Sequence, residues 1–105
     1  MMDNNQNMKA LFIIVNAGFA NQAVEVAQGC GASGATILSA RGSGAKFSSF
    51  LGIQYEPERE IILSVVPVEV AEKIIQAISE KIGKDTPTNG LCFIMPVEQT
   101  TMLKK

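Results

Sequence analysis

Two runs in this chain, "LFIIV" at Leu11–Val15 and "LCFIM" at Leu91–Met95, are apolar at every position. Each falls far short of the roughly 20 residues that span a bilayer, and the Ile and Val of the first mark it as a strand. A strand without polar alternation expects cover on both of its faces. The fold must therefore supply two layers against its sheet, or leave one face to another molecule.

The order of the elements narrows the choice. "MKALFIIV" (Met8–Val15) reads as a strand. In "GFANQAVEVAQGCGA" the residues Phe19, Ala23, Val26, Ala27 and Cys30 recur at helical spacing, with Asn21, Gln22, Glu25 and Gln28 opposite and Gly29 and Gly31 at the end. "GATILSARG" (Gly34–Gly42) is a second strand. The pattern then repeats. "REIILSVVP" (Arg59–Pro67) is a strand, and "VEVAEKIIQAISEKIG" is a helix with Ala71, Ile74, Ile75, Ile78 and Ile82 as its apolar stripe. Glu69–Lys73 forms a potential i,i+4 pair on its wet face, and Gly83 closes it. "KDTPTNG" is a loop and "LCFIMPVE" a last strand, stopped by Pro96. Two β-α-β halves predict an α+β, ferredoxin-like βαββαβ sandwich: a four-stranded antiparallel sheet with two helices on one face. The domain is expected over 8–105, after a polar tail at 1–7. Because two helices cover one face only, the other is expected to meet further copies of the chain.

Between the two halves runs "SARGSGAKFSSFLGIQYEPERE", Ser39–Glu60, rich in the turn formers Gly42, Ser43, Gly44, Ser48, Ser49, Gly52 and Pro57. Connections in compact domains usually take roughly 4–6 residues, so this one has a purpose beyond joining strands.

Composition excludes several kinds of chemistry. The chain has 105 residues, 47% of them hydrophobic, and a net charge of −1, which leaves no basic excess to hold a nucleic acid. It contains no histidine, which removes Ser-His and Cys-His nucleophiles and the commonest metal ligand. Cys30 and Cys92, its two cysteines, sit in apolar periodic segments and read as buried structural thiols. The carboxylates Glu56, Glu58 and Glu60 around Pro57 read as a solvated loop. Neither glycine-rich stretch is a phosphate-binding P-loop, since no Gly-Lys-Ser/Thr follows. No charged leader precedes a long apolar stretch, so a cytoplasmic protein is expected, and the poverty of catalytic constellations makes a non-enzymatic one the expectation.

"GASGATILSARGSG", "VVPVEVAEKIIQAISEKIG" and "NGLCFIMPVEQ" together resemble the P-II nitrogen-regulatory signalling proteins over nearly all of Met8–Leu103. The match lies in the ordered set and its spacings rather than in any one motif. The resemblance implies a homotrimer with nucleotide clefts between subunits. It also implies a long T-loop, here about 43–58, that grips a regulated target such as a membrane transporter or a metabolic enzyme. By position, Gly34, Thr36 and Val65 match the adenine side of the cleft. Gly42 and Gly44 match its phosphate-side glycines, and Asn89 and Gly90 match the loop that covers the phosphates.

The family's cations are largely missing. Its phosphate lysine falls on Leu91, a second lysine near Thr86, and a tail arginine on Met102, leaving Lys104. Its T-loop arginine falls on Ala45, and the glutamine that helps hold 2-oxoglutarate and magnesium falls on Lys46. Three lost charged hydrogen bonds remove on the order of 4–9 kcal/mol gross. The resemblance, so modified, implies a divergent P-II-like sensor with no cofactor of its own. Its ligand would be AMP or ADP rather than ATP, held with help from Lys46 and Lys104. Phe47, Phe50, Leu51, Ile53 and Tyr55 on the T-loop are the expected partner surface. Two alternatives differ in class: a trimer that docks on a transporter without sensing nucleotide, and a divalent-cation-tolerance-like trimer, which the lack of histidine disfavours.

Overall fold

A computed structural model describes residues 7–41, 49–50, 53–54 and 58–101 of the chain. The elements run β1 (Met8–Asn16), α1 (Ala20–Gly29), β2 (Thr36–Arg41), β3 (Ser49–Phe50), β4 (Ile53–Gln54), β5 (Glu58–Pro67), α2 (Val68–Ile82) and β6 (Leu91–Pro96). Four of the strands form one antiparallel sheet in the order β2-β5-β1-β6. β1 and β2 both pair with β5, and β5 and β6 both pair with β1. Each helix is therefore the crossover between two parallel, non-adjacent strands, and the ferredoxin-like arrangement expected from the sequence is the one observed.

Burial alternates along the strands although hydrophobicity does not. Leu11, Ile13 and Val15 of β1 and Ile62 and Val66 of β5 are buried against Ala23 and Ala27 of α1 and Ala71, Ile74, Ile78 and Ile82 of α2. The intervening residues Phe12, Ile14, Ile61, Leu63 and Val65 face the other way and are only half-buried. On that open face the rings of Phe12 and Phe93 stack with centroids 5.0 Å apart and planes 10° apart. Leu38, Leu91, Phe93 and Met95 on the open face are exposed.

The helices end as their sequences require. After α1 the chain turns at Gly31, whose φ of 119° favours glycine. Its N–H bonds the carbonyl of Gln28, and the N–H of Ala32 reaches back to Ala27. Of the apolar positions expected along α1, Ala23 and Ala27 are buried, while Phe19, Val26 and Cys30 pack only partly against the core. α2 starts directly after Pro67 with Glu69 in its first turn and Lys81 in its last, both favourable to the helix dipole. The i,i+4 bond on its wet face joins Gln76 to Glu80, not Glu69 to Lys73.

Three details differ from the sequence reading. β2 starts at Thr36, not Gly34, because the stretch before it is anchored by a side chain, described below, instead of by the ladder. The long connection also carries regular structure: Ser49 pairs with Gln54 and Phe50 with Ile53 in a short antiparallel ladder. The cysteines are free and only half-buried, so they are less enclosed than their apolar neighbours suggested.

Candidate functional site

The loop from Gly83 to Gly90 is tied at several points. The hydroxyl of Thr86 donates to the carbonyl of Gly83 at 2.7 Å and accepts the N–H of Asn89 at 3.2 Å. Thr88, 2% exposed, donates its hydroxyl to Oε1 of Gln22 in α1 at 2.9 Å. Asp85 and Asn89 take left-handed φ values of 70° and 52°, a conformation that Asp and Asn tolerate through local hydrogen bonding. Gly90 closes the turn by donating its N–H to the carbonyl of Ile82 at 2.8 Å. A Cβ there would lie 2.8 Å from that same oxygen and 3.2 Å from Ile78, so the close approach requires glycine. The hydroxyl at Thr86, one of the positions where the resemblance places a lysine, is thus consumed in shaping the turn. Leu91, at another such position, is an exposed residue of the open sheet face.

The other lip is looser. Gly34 is exposed, and its carbonyl is anchored by the hydroxyl of Ser64, 7% exposed, which donates to it at 2.6 Å. Thr36 opens β2 opposite Leu63, and Val65 lies two residues further along the same face of β5. Ser64 points to the helix side and Val65 to the open side, as strand alternation dictates. Small, exposed residues before β2 leave room for a flat apolar group to approach backbone.

Gly34 and Thr36 thus lie at the β2 edge of the sheet, with Val65 on the adjacent strand β5, and Asn89 and Gly90 lie at the β6 edge. Three inter-strand steps of about 4.8 Å separate these edges, roughly 14 Å in all. A single copy does not bring the two groups together. Gly42, Gly44, Lys46 and Lys104, and Phe47, Leu51 and Tyr55 of the expected partner surface, lie outside the described residues. Phe50 and Ile53 are located by their backbone pairing alone.

At the root of the long connection is an open groove of about 440 Å³ between Ser39–Arg41 of β2, Glu58–Glu60 of β5 and Ala17. Sequence reading assigned Glu58 and Glu60 to a solvated loop. Both belong to β5, and Glu60 accepts the N–H of Gly18 at 3.0 Å. Arg59 donates to the side-chain carbonyl of Asn16. No spacing in the sequence signals these contacts, because they follow from the β1–β5 register, in which Asn16 faces Arg59. Burial pushes the Cys92 thiol up to about 12, so it is an inert thiol at neutral pH. Among the described residues no group of three His, Cys, Asp or Glu converges to hold a metal. No described helix is long and apolar enough to cross a membrane.

A four-stranded ferredoxin-like sheet with one uncovered apolar face, and a long insertion between β2 and β5, defines a class of small α+β proteins that carry a loop at one end. The chain belongs to the nitrogen regulatory protein P-II family, whose family model matches residues 8–105. No curated protein sequence matches it. Among solved structures it is similar to a PII-like signaling protein from Thermus thermophilus, at 23% identity and a TM-score of 0.65, with 84% of each chain covered. It is similar to B. subtilis GlnK in complex with ATP, at 14% identity and a TM-score of 0.67, covering 89% of this chain and 86% of that one. CPII from Thiomonas intermedia K12, a nitrogen regulatory PII-like protein bound to ADP, AMP and bicarbonate, aligns at 19% identity and a TM-score of 0.65, with 84% and 87% covered. At these identities the likeness concerns the fold.

Proposed function

We propose that the protein is a cytoplasmic, non-enzymatic regulator that binds an adenine nucleotide in clefts between the copies of a homotrimer. The loop between β2 and β5 passes the bound state to a target protein. The observation that carries this reading is the separation of the two lips. Gly34 and Thr36 lie at the β2 edge of the sheet with Val65 on the neighbouring strand β5, and Asn89 and Gly90 lie beside β6 at the other edge, so on this reading one cleft takes an edge from each of two copies. The exposed apolar residues Leu38, Leu91, Phe93 and Met95 offer the surface on which copies would meet. The family supports a regulatory role. B. subtilis GlnK was solved with ATP and CPII with ADP and AMP, which supports a nucleotide as the ligand class.

The loss of cations sets the preference. The tied Gly83–Gly90 turn can offer backbone donors, but Leu91 and Thr86 supply no charge. Each additional phosphate then costs more desolvation than it gains, favouring AMP or ADP over ATP. Lys46, Lys104, Gly42 and Gly44 complete the phosphate side on this reading. Phe47, Phe50, Leu51, Ile53 and Tyr55 would be the contact with a target, whether transporter or metabolic enzyme. Calorimetric titration with AMP, ADP and ATP tests it. The expected order of affinity is AMP and ADP above ATP, with ADP binding at millimolar concentration or below. Absence of binding by all three refutes nucleotide sensing and leaves a docking trimer.

A further inference from the structure

The turn that follows β1 holds two distant parts of the chain at once. Asn16 is bonded through both its backbone and its side chain. Its backbone N–H donates to the carbonyl of Thr88 at 3.0 Å, and its side-chain amide donates to the carbonyl of Pro87 at 2.9 Å. Its side-chain oxygen accepts from the guanidinium of Arg59. The next two residues continue the second grip. Ala17 donates its N–H to the carbonyl of Glu58 at 3.2 Å, and Gly18 donates to the Glu60 carboxylate at 3.0 Å. Three consecutive residues at the returning root of the long loop are therefore fastened to three consecutive residues of this turn. The same turn fastens the Gly83–Gly90 loop through Asn16.

We infer that Asn16 is a positioning residue that couples the Gly83–Gly90 turn to the root of the long loop within one copy. A displacement of the Pro87 and Thr88 carbonyls changes what the Asn16 amide can reach, and so what its oxygen can offer to Arg59. An asparagine suits this post because one planar group presents a donor to one side and an acceptor to the other. With ligand covered by the Gly83–Gly90 turn, Asn16 would carry its presence to the output loop. That clause rests on the function proposed above, whereas the coupling itself does not.

Residue-resolved amide exchange on the full chain tests both parts. Without ligand, Arg59→Met removes the guanidinium and touches nothing in the Gly83–Gly90 turn. Exchange of the Asn16 and Gly90 N–H groups is expected to speed up about fivefold, the effect of losing one hydrogen bond, while amides of Ile74 and Ile78 in α2 hold still. Unchanged exchange at Asn16 and Gly90 overturns the coupling. So does a rise matched in α2, since that is general destabilisation. With ADP, wild type is expected to slow exchange at Gly90 and also at Ala17 and Gly18. Asn16→Asp keeps the acceptor for Arg59 but turns an oxygen toward the Pro87 carbonyl, so it is expected to keep the Gly90 response and lose that at Ala17 and Gly18. Retention of the full response in Asn16→Asp overturns the relay. If wild type does not respond to ADP, the nucleotide reading fails, and the Arg59→Met measurement alone decides the coupling.

Discussion

On the helix side of the sheet Leu11, Ile13 and Ile62 are 0% exposed, whereas on the opposite side Leu91, Met95 and Phe93 remain 57%, 50% and 38% exposed. The residues are of one kind, and what separates them is the cover two short helices can give. At roughly 25 cal/mol for each Å² of apolar surface removed from water, the first face stabilises the single copy, and the second keeps the same driving force for association. On the proposed reading, the non-alternating hydrophobicity of these strands supplies the second face on which copies would meet.

Cutting each face in turn shows whether the two differ in this way. Leu11→Ala at the centre of the covered face is expected to cost about 3 kcal/mol in urea unfolding, through lost burial and a residual cavity. Phe93→Asp on the open face is expected to leave a folded chain that sediments as an 11.2 kDa monomer, losing little more than its stacking on Phe12, about 1 kcal/mol. If Phe93→Asp unfolds the chain as deeply as Leu11→Ala, the open face belongs to the monomer core and the distinction fails.

Costs should shrink toward the periphery of the covered side. Gly90→Val forces a side chain against the Ile82 carbonyl and is expected to destabilise by about 2 kcal/mol. Ser64→Ala removes the bond to the Gly34 carbonyl and is expected to cost about 1 kcal/mol, with faster proteolysis before β2 as a local sign. An effect confined to high pH belongs to Cys92 on the edge strand β6. Its thiol is raised from the ordinary 9.0 to about 12 by burial, so the unfolded chain loses that proton first. The stability it contributes is complete below pH 9 and declines as pH rises toward about 12. Cys92→Ala is expected to flatten the alkaline limb of a stability–pH curve slightly. An unchanged slope contradicts the assignment.

Much of this was legible in the chain. β1, β5 and α2 announce themselves because the apolar spacing is long and unbroken, and Gly83 and Pro96 mark real ends. The Ser49–Phe50 and Ile53–Gln54 ladder was less visible. Its signal is no more than the apolar Phe50 and Ile53, hidden in a segment otherwise rich in serine and glycine. The site divides in the same way. Asn89-Gly90 could be matched because a left-handed residue and a close-approach glycine leave a mark on sequence. Asn16 could not, since its partners at Arg59, Pro87 and Thr88 depend on strand register and on a loop far along the chain. Ser64 was read only as part of a strand, and nothing local says that a hydroxyl there holds Gly34.

On the proposed function, one ligand site is built from the β2 edge of one copy and the Gly83–Gly90 turn of the next. Two variants each damage one lip and spare the fold. Gly34→Phe fills the first, where a Cβ meets nothing within 4 Å. Asn89→Asp sets a negative charge on the second and tolerates the same left-handed backbone. Calorimetry with ADP on each variant alone, and on the two co-expressed and purified as mixed assemblies, is the direct measurement. Neither variant is expected to bind ADP alone, and mixed assemblies are expected to regain binding, because neighbouring copies then pair an intact Gly34 edge with an intact Asn89 turn. Mixed assemblies as inert as their parents, from a wild type that binds, would contradict that pairing.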